Sequence, residues 1–192
     1  MSLLTIPSVL ARARRATNMN FSSEMLLESQ MTKQASITHY DIFLSHSFDD
    51  KDIILGTTLI LEDLGYAVYL DWRNDPQLNR KTVNATTASR LRDRMKSSKC
   101  LFYATTENSS SSRWMPWELG FKEGHNSRAA ILPIQNSSSE NFIGQEYLGL
   151  YPYVTQQRNT SNQERLWINR SVTCYVDFAL WLDGQEPSQQ NH

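Results

Sequence analysis

At 192 residues, with 40% hydrophobic, 10% aromatic and 20% charged residues, the chain suits one well-buried domain with a short extension and excludes wholesale disorder or a coiled coil. The formal net charge is −1, from 19 basic and 20 acidic residues, so the sequence lacks the basic footprint of a nucleic-acid-binding protein. No apolar run approaches the ~18 residues that a membrane span requires, and the two cysteines, Cys100 and Cys174, sit among apolar neighbours as they would in a reduced, cytoplasmic setting.

Residues 1–38 read as an N-terminal helical extension. Its first fifteen residues carry Arg12, Arg14 and Arg15 with apolar Leu3, Leu4, Ile6, Val9 and Leu10. That pattern fits an amphipathic helix packed on the domain or on a partner better than an organelle transit peptide. The texture changes at Tyr40-Asp41-Ile42-Phe43-Leu44-Ser45, a short apolar strand, after which Ser47-Phe48-Asp49-Asp50 starts a helix. In that helix Ile53, Ile54, Thr57, Ile60, Leu61 and Leu64 recur at helical spacing, and Gly65 stands where a left-handed C-terminal cap belongs. A second strand, Ala67–Leu70, gives way to a polar loop from Asp71 to Arg80, with a turn marked by Asp75-Pro76.

A helix follows from about Thr86 to Ser98, with Ala88, Leu91 and Met95 inward. The third strand, Cys100–Thr105, runs into serines 109–112, which cap a helix containing Trp114, Pro116 and Glu118. Ala129–Ile134 is a fourth strand, and Tyr151–Val154 a weak fifth. The apolar residues Leu166, Trp167, Val172, Tyr175, Val176, Ala179 and Leu182 predict a long final helix over about Asn162–Leu182, ahead of a polar tail. Alternating helices and apolar strands argue for an α/β fold, a flavodoxin-like doubly wound five-stranded parallel sheet, with the main domain at 39–184 and the tail at 185–192.

In such sheets ligands bind beyond the carboxyl ends of the strands, where strand order reverses. The segments there are Ser45–Phe48, the loop from Trp72 to Arg80, Thr105–Ser112 and the start of the Trp114–Glu118 helix. Several chemistries lack their residues: no glycine-rich phosphate loop follows the first strand, no serine stands in Gly-x-Ser-x-Gly, and His39, His46, His125 and His192 show no metal-ligand spacing. A phospho-accepting receiver domain would need an aspartate where this chain has Thr105-Thr106.

The four-residue step from Trp114 to Glu118 places an indole and a carboxylate on one helical face. An aromatic plate beside one acid suits a flat cationic heterocycle on a ribose, although tryptophan at helical spacing is equally a core residue and first-turn glutamate a response to the helix dipole.

These residues carry a resemblance. Tyr40–His46 is similar to the first strand of Toll/interleukin-1 receptor (TIR) domains, Trp72–Arg80 occupies the place of their BB loop, and Ile131–Ile134 resembles their fourth strand. Trp114 and Glu118 match the Trp-x-x-x-Glu pattern of the enzymatic members. Asp75-Pro76-Gln77-Leu78 departs from the arginine-aspartate-proline-glycine run of receptor-type BB loops.

The resemblance to compact bacterial TIR proteins, including those of Thoeris-type anti-phage defence, implies cleavage of NAD⁺ to nicotinamide and a cyclic or modified ADP-ribose. It implies Glu118 as the catalytic carboxylate, with Trp114 stacking on substrate, Ser45, His46 and Phe48 at the nicotinamide end, and Trp72, Arg73 and Asp75 shaping a lid or a subunit contact. NAD⁺ is then substrate rather than cofactor, with no metal, and the partners are further copies of the chain and an effector reached through the nucleotide product. Two readings compete: a non-catalytic TIR module working by surface contacts, and another nucleoside-handling enzyme on the same kind of sheet.

Overall fold

The computed structural model describes residues 2–18, 38–75, 84–137 and 146–190. Its centre is a run of parallel strands: β2 (Tyr40–Ser45), β3 (Val68–Tyr69), β4 (Ser98–Thr105), β5 (Ala129–Gln135) and β6 (Tyr153–Arg158). They lie in the order β3-β2-β4-β5-β6, so the sheet grows from β2 in both directions and the reversal falls between β2 and β4. Helices α2 (Lys51–Asp63), α3 (Asp71–Asn74), α4 (Ala85–Lys96) and α5 (Met115–Asn126) connect them.

Strand pleating sorts side chains into two cores. Ile42, Leu44, Phe102, Ala104 and Leu132 face one layer with Ile54 and Leu61 of α2. Phe43, Leu101, Tyr103 and Ile131 face the other with Leu91 and Met95 of α4 and Met115 and Leu119 of α5. Local chemistry sets the helix ends. The Asn84 side chain accepts from Thr87 N at 2.8 Å, Ser47 caps a 3₁₀ turn at Phe48–Asp50, and Gly65 ends α2 at φ +91°, which only glycine adopts freely.

The described part of the N-terminal segment is built into this body. A short strand, β1 (Leu4–Thr5), pairs in parallel with the end of β5, and Ser2 bridges Gln156 of β6. Helix α1 (Ile6–Asn18) then lies on α2, with Val9 fully buried and Arg12 gripping Asp63 at 2.6 and 2.9 Å. The approach is close because α2 presents Gly56: a Cβ there would stand 1.9 Å from the Val9 carbonyl oxygen. Gly56→Ala is therefore expected to push α1 away and to lower stability by about 1–3 kcal/mol, the usual cost of overpacking. Urea unfolding checks this, and an unchanged midpoint would show that α1 contributes nothing there.

The C-terminal third corrects the expected long helix. Residues Glu164–Ser171 form β7, antiparallel to β6, and Cys174–Asp177 form β8, antiparallel to β7, with the turn at Val172 and Thr173. Leu166 and Ile168 point to the core while Trp167 is half-buried between them, a period of two rather than 3.6. Helix remains only in α6 (Phe178–Leu182), started by the Asp177 carboxylate accepting from Ala179 N at 2.8 Å. The tail adds β9 (Ser188–Gln189) against β8, and Glu186 pairs with Arg128. No helix among the described residues is long and apolar enough to cross a membrane.

Candidate functional site

The reversal point holds a buried carboxylate. Ser45 ends β2 and is paired in register with Tyr103 of β4, so both side chains stand on the α5 side of the sheet. Pro116 occupies the first turn of α5, where a missing N–H costs nothing, and one half-turn later Glu118 points inward with 0% exposure. The Ser45 hydroxyl donates to Glu118 Oε2 at 2.6 Å, a charge-assisted bond. The Tyr103 phenol lies close enough to feel the Glu118 charge; burial, reinforced by Tyr147 and then Glu118, pushes its ionisation well above that of a free tyrosine. The glutamate is thus not a solvated surface acid.

The loops around this group are latched to one another. Asp50 at the start of α2 accepts from Thr106 Oγ1 at 2.5 Å and from Asn108 Nδ2 at 2.7 Å, which ties the loop after β2 to the loop after β4. Thr106, at the place where a receiver domain would carry its aspartate, serves as a clamp. His46 is 2% exposed: Nδ1 meets the Leu44 carbonyl at 2.8 Å and Nε2 lies 3.3 Å from Asp71 Oδ1, so the ring joins β2 to α3. Phe48 is 47% exposed at the rim, with Lys51 Nζ 4.4 Å from its ring centre.

The remaining expected site residues have partners of their own. Trp72 packs against the opposite core, the one with α1 and α2. The Arg73 guanidinium is buried, donates to the Val68 carbonyl at 2.8 Å and pairs with Glu62 at 2.9 Å; burial lowers its pKa despite that glutamate. Asp75 receives bonds from Tyr69, Arg90 and Arg94 at 2.7–3.1 Å. Trp114 is 6% exposed in the core beneath α5, edge-on to Trp117 at 5.5 Å. The structure therefore brings Ser45 and Glu118 together, leaves Phe48 on the rim, and gives Trp72, Arg73, Asp75 and Trp114 packing or ionic roles. Residues 76–83, the rest of the loop expected to act as a lid, lie outside the described residues.

Sequence reading missed Tyr103 and Tyr147. Tyr103 lines a cavity of about 710 Å³ at the carboxyl ends of β4 and β5, closed on other sides by Pro116, Ser109 and Tyr147. Alternation in β4 could have revealed Tyr103, because it falls on the same face as Phe43 and Ser45; Tyr147, in a 3₁₀ turn at Glu146–Leu150, carries no such signal. Among the described residues no group of three His, Cys, Asp or Glu could hold a metal ion.

A scan against protein-family models finds no match for this chain. It is 48% identical over 165 residues to ThsB′ of Bacillus cereus (strain MSX-D12), a protein named as a probable 3′ cyclic ADP-D-ribose synthase; the match covers 85% of this chain and 86% of that one. It is also 34% identical over 83 residues to a protein of Cytobacillus dafuensis named "Putative cyclic ADP-D-ribose synthase TIR2", covering 43% of this chain and 22% of that protein. With the parallel sheet, its strand order and the glutamate at the switch point, the chain belongs to the bacterial TIR-domain family that includes the ThsB′-type proteins.

Proposed function

We propose that this protein is a TIR-domain enzyme that cleaves the nicotinamide–ribose bond of NAD⁺ and releases nicotinamide with a cyclic ADP-ribose, the kind of product for whose synthesis its relatives are named. The observation that carries the reading is the buried carboxylate of Glu118, oriented by Ser45 at the carboxyl end of the parallel sheet. One carboxylate is enough for this chemistry. Nicotinamide leaves as a neutral molecule from a pyridinium that is already positive, so no acid need protonate it, unlike the two-carboxylate arrangement of ordinary glycosidases. As the bond breaks, positive charge spreads over the ribose ring, and a fixed negative charge in a dry site stabilises that state far more than it would in water.

Ser45 is assigned as a positioning residue that fixes the orientation of the carboxylate meant for the ribose. Phe48, on the rim, is assigned to pack against the nicotinamide end, while His46, Asp50 and Thr106 fix the loops that shape the site. We further assign the product as the signal to a separate effector, copies of the chain as its partners, and the cytoplasm, where NAD⁺ is plentiful, as its location. Both cysteines are free, which fits a reducing compartment.

The test is incubation of the purified full chain with NAD⁺, alone and with increasing protein concentration to drive self-association, followed by chromatographic separation of products. Nicotinamide together with a product of lower mass than ADP-ribose by one water is expected. Absence of nicotinamide under every condition would instead favour a non-catalytic TIR module.

A further inference from the structure

The cavity that begins at Tyr103 has a selective lining. Its volume, about 710 Å³, lies within the range of small-molecule sites. Hydroxyls, amides and carboxylates line it, among them Thr105, Ser109, Gln135 and Glu107, and among the described residues no lysine or arginine does. A pyrophosphate would find no cationic partner among these side chains, whereas a neutral base and its sugar would find both polar groups and apolar surface. The aromatic surface comes from Tyr147, which is 43% exposed and lines the cavity together with Tyr103. More apolar surface comes from Ile6, brought there because β1 pairs Leu4 with Ile134 and Thr5 with Gln135.

We propose that this cavity takes the adenosine half of NAD⁺, with Tyr147 as the platform for the adenine ring and Ile6 as a second apolar wall. The inference rests on the NAD⁺-cleaving reading above and adds where the base is held and what that does to the product. Tyr103 connects the two halves: it lines the cavity and is paired in register with Ser45, whose hydroxyl bonds Glu118. A dinucleotide with its base against Tyr147 and its nicotinamide ribose at Glu118 is folded back on itself. When the C1′–nitrogen bond breaks, its electron pair leaves with nicotinamide. A hydroxyl of the adenosine ribose then forms the new bond to C1′ and gives its proton to solvent, which closes the ring; water in its place gives linear ADP-ribose. Holding the adenosine close raises its effective concentration over water, so the grip on the base sets the split between the two products.

The N-terminal segment thereby acquires a role in the site, because Ile6 reaches the cavity only while β1 occupies its place beside β5.

The experiment uses the full chain and its Tyr147→Ala, Tyr147→Phe and Ile6→Trp variants, each checked for an unchanged thermal transition. Adenosine binding is measured by equilibrium dialysis, and products from NAD⁺ are resolved by chromatography. Tyr147→Ala and Ile6→Trp are expected to weaken adenosine binding by about tenfold or more, in line with the value of one stacked base. Tyr147→Phe keeps the ring and should stay within about threefold of the parent, since it loses only the hydroxyl. Tyr147→Ala should still release nicotinamide, with its product moved from cyclic to linear. The proposal is overturned if the parent does not bind adenosine, if all four proteins bind it alike, or if Tyr147→Ala gives the parent's product ratio. Tyr147-dependent adenosine binding without any nicotinamide release would uphold the adenosine site and sink the enzyme reading instead.

Discussion

Glu118→Gln is expected to lower nicotinamide release by about 10³-fold, the scale set by removing one preorganised electrostatic group from a dry site. Glutamine has nearly the same shape and can still accept from the Ser45 hydroxyl, which lies 2.6 Å from Oε2 in the parent. What it lacks is the negative charge, and that charge is most valuable when the ribose turns cationic, so kcat falls while KM moves little. The fold is expected to survive with an equal or higher thermal midpoint, because a fully buried carboxylate is costly to desolvate and a neutral amide is less so. Measured side by side, kcat, KM and the melting curve separate this outcome from simple damage. A variant as active as the parent would remove Glu118 from the mechanism even if NAD⁺ is cleaved. Ser45→Ala makes the companion case: it leaves the charge and removes its anchor, so it should act more weakly, by about tenfold, through a carboxylate no longer held in one orientation.

The place of that glutamate in the fold was legible in the sequence because several local signals agreed on it. Pro116 fixes a helix start, the apolar strand Cys100–Thr105 fixes what precedes it, and the parallel-sheet rule places that start at the ligand-binding rim. The carboxyl ends of strands were legible for the same reason, including Ser45. The partners of the loop residues were not. Arg73 and Asp75 read as part of a lid or a subunit contact, yet the structure buries both, because Arg73 reaches back to Glu62 eleven positions earlier and Asp75 meets Arg90 and Arg94 on the next helix. No local pattern encodes such pairs. The hairpin of β7 and β8 failed for a different reason. Leu166, Trp167, Val172, Tyr175, Val176, Ala179 and Leu182 also satisfy a helical template, and the alternation of Leu166, Trp167 and Ile168 is too short to outweigh it without the neighbouring strand β6 in view. Trp114 remained ambiguous in sequence because a core indole and a stacking indole share the same spacing; packing with Met115, Leu119 and Tyr40 resolves where it sits.

Asp75→Ala carries the second large effect, and it is expected on stability. The carboxylate is 1% exposed and collects hydrogen bonds from Tyr69 at 2.9 Å, Arg94 at 2.7 Å and Arg90 at 2.7 Å. Truncation leaves the buried Tyr69 hydroxyl without this acceptor and frees two guanidinium groups. Loss is placed at about 3 kcal/mol, the low end for a broken buried ion pair, because Arg90 and Arg94 are 47% and 22% exposed and can turn to water. Its pH dependence follows from the direction of the Asp75 shift. Burial alone would raise this pKa, but hydrogen bonds from Arg94, Arg90 and Tyr69 outweigh it and hold the group below its ordinary 3.8. A depressed carboxylate stabilises fully above its unfolded value and loses that contribution as pH falls through its folded value, so the unfolded chain binds the extra proton in that window. The gap between parent and variant should therefore be widest near neutrality and narrow below about pH 3.8, measured by urea unfolding along a pH series. A gap independent of pH would show that the carboxylate's charge is not what holds the loop. Activity supplies the other half of the test. Tyr69 stacks on Phe43 at 5.1 Å, two residues before Ser45 in β2, so Asp75 supports the strand that presents Ser45 without touching the reacting atoms. At a temperature where the variant is fully folded its KM for NAD⁺ should match the parent's, whereas a residue that contacted substrate would raise KM even there.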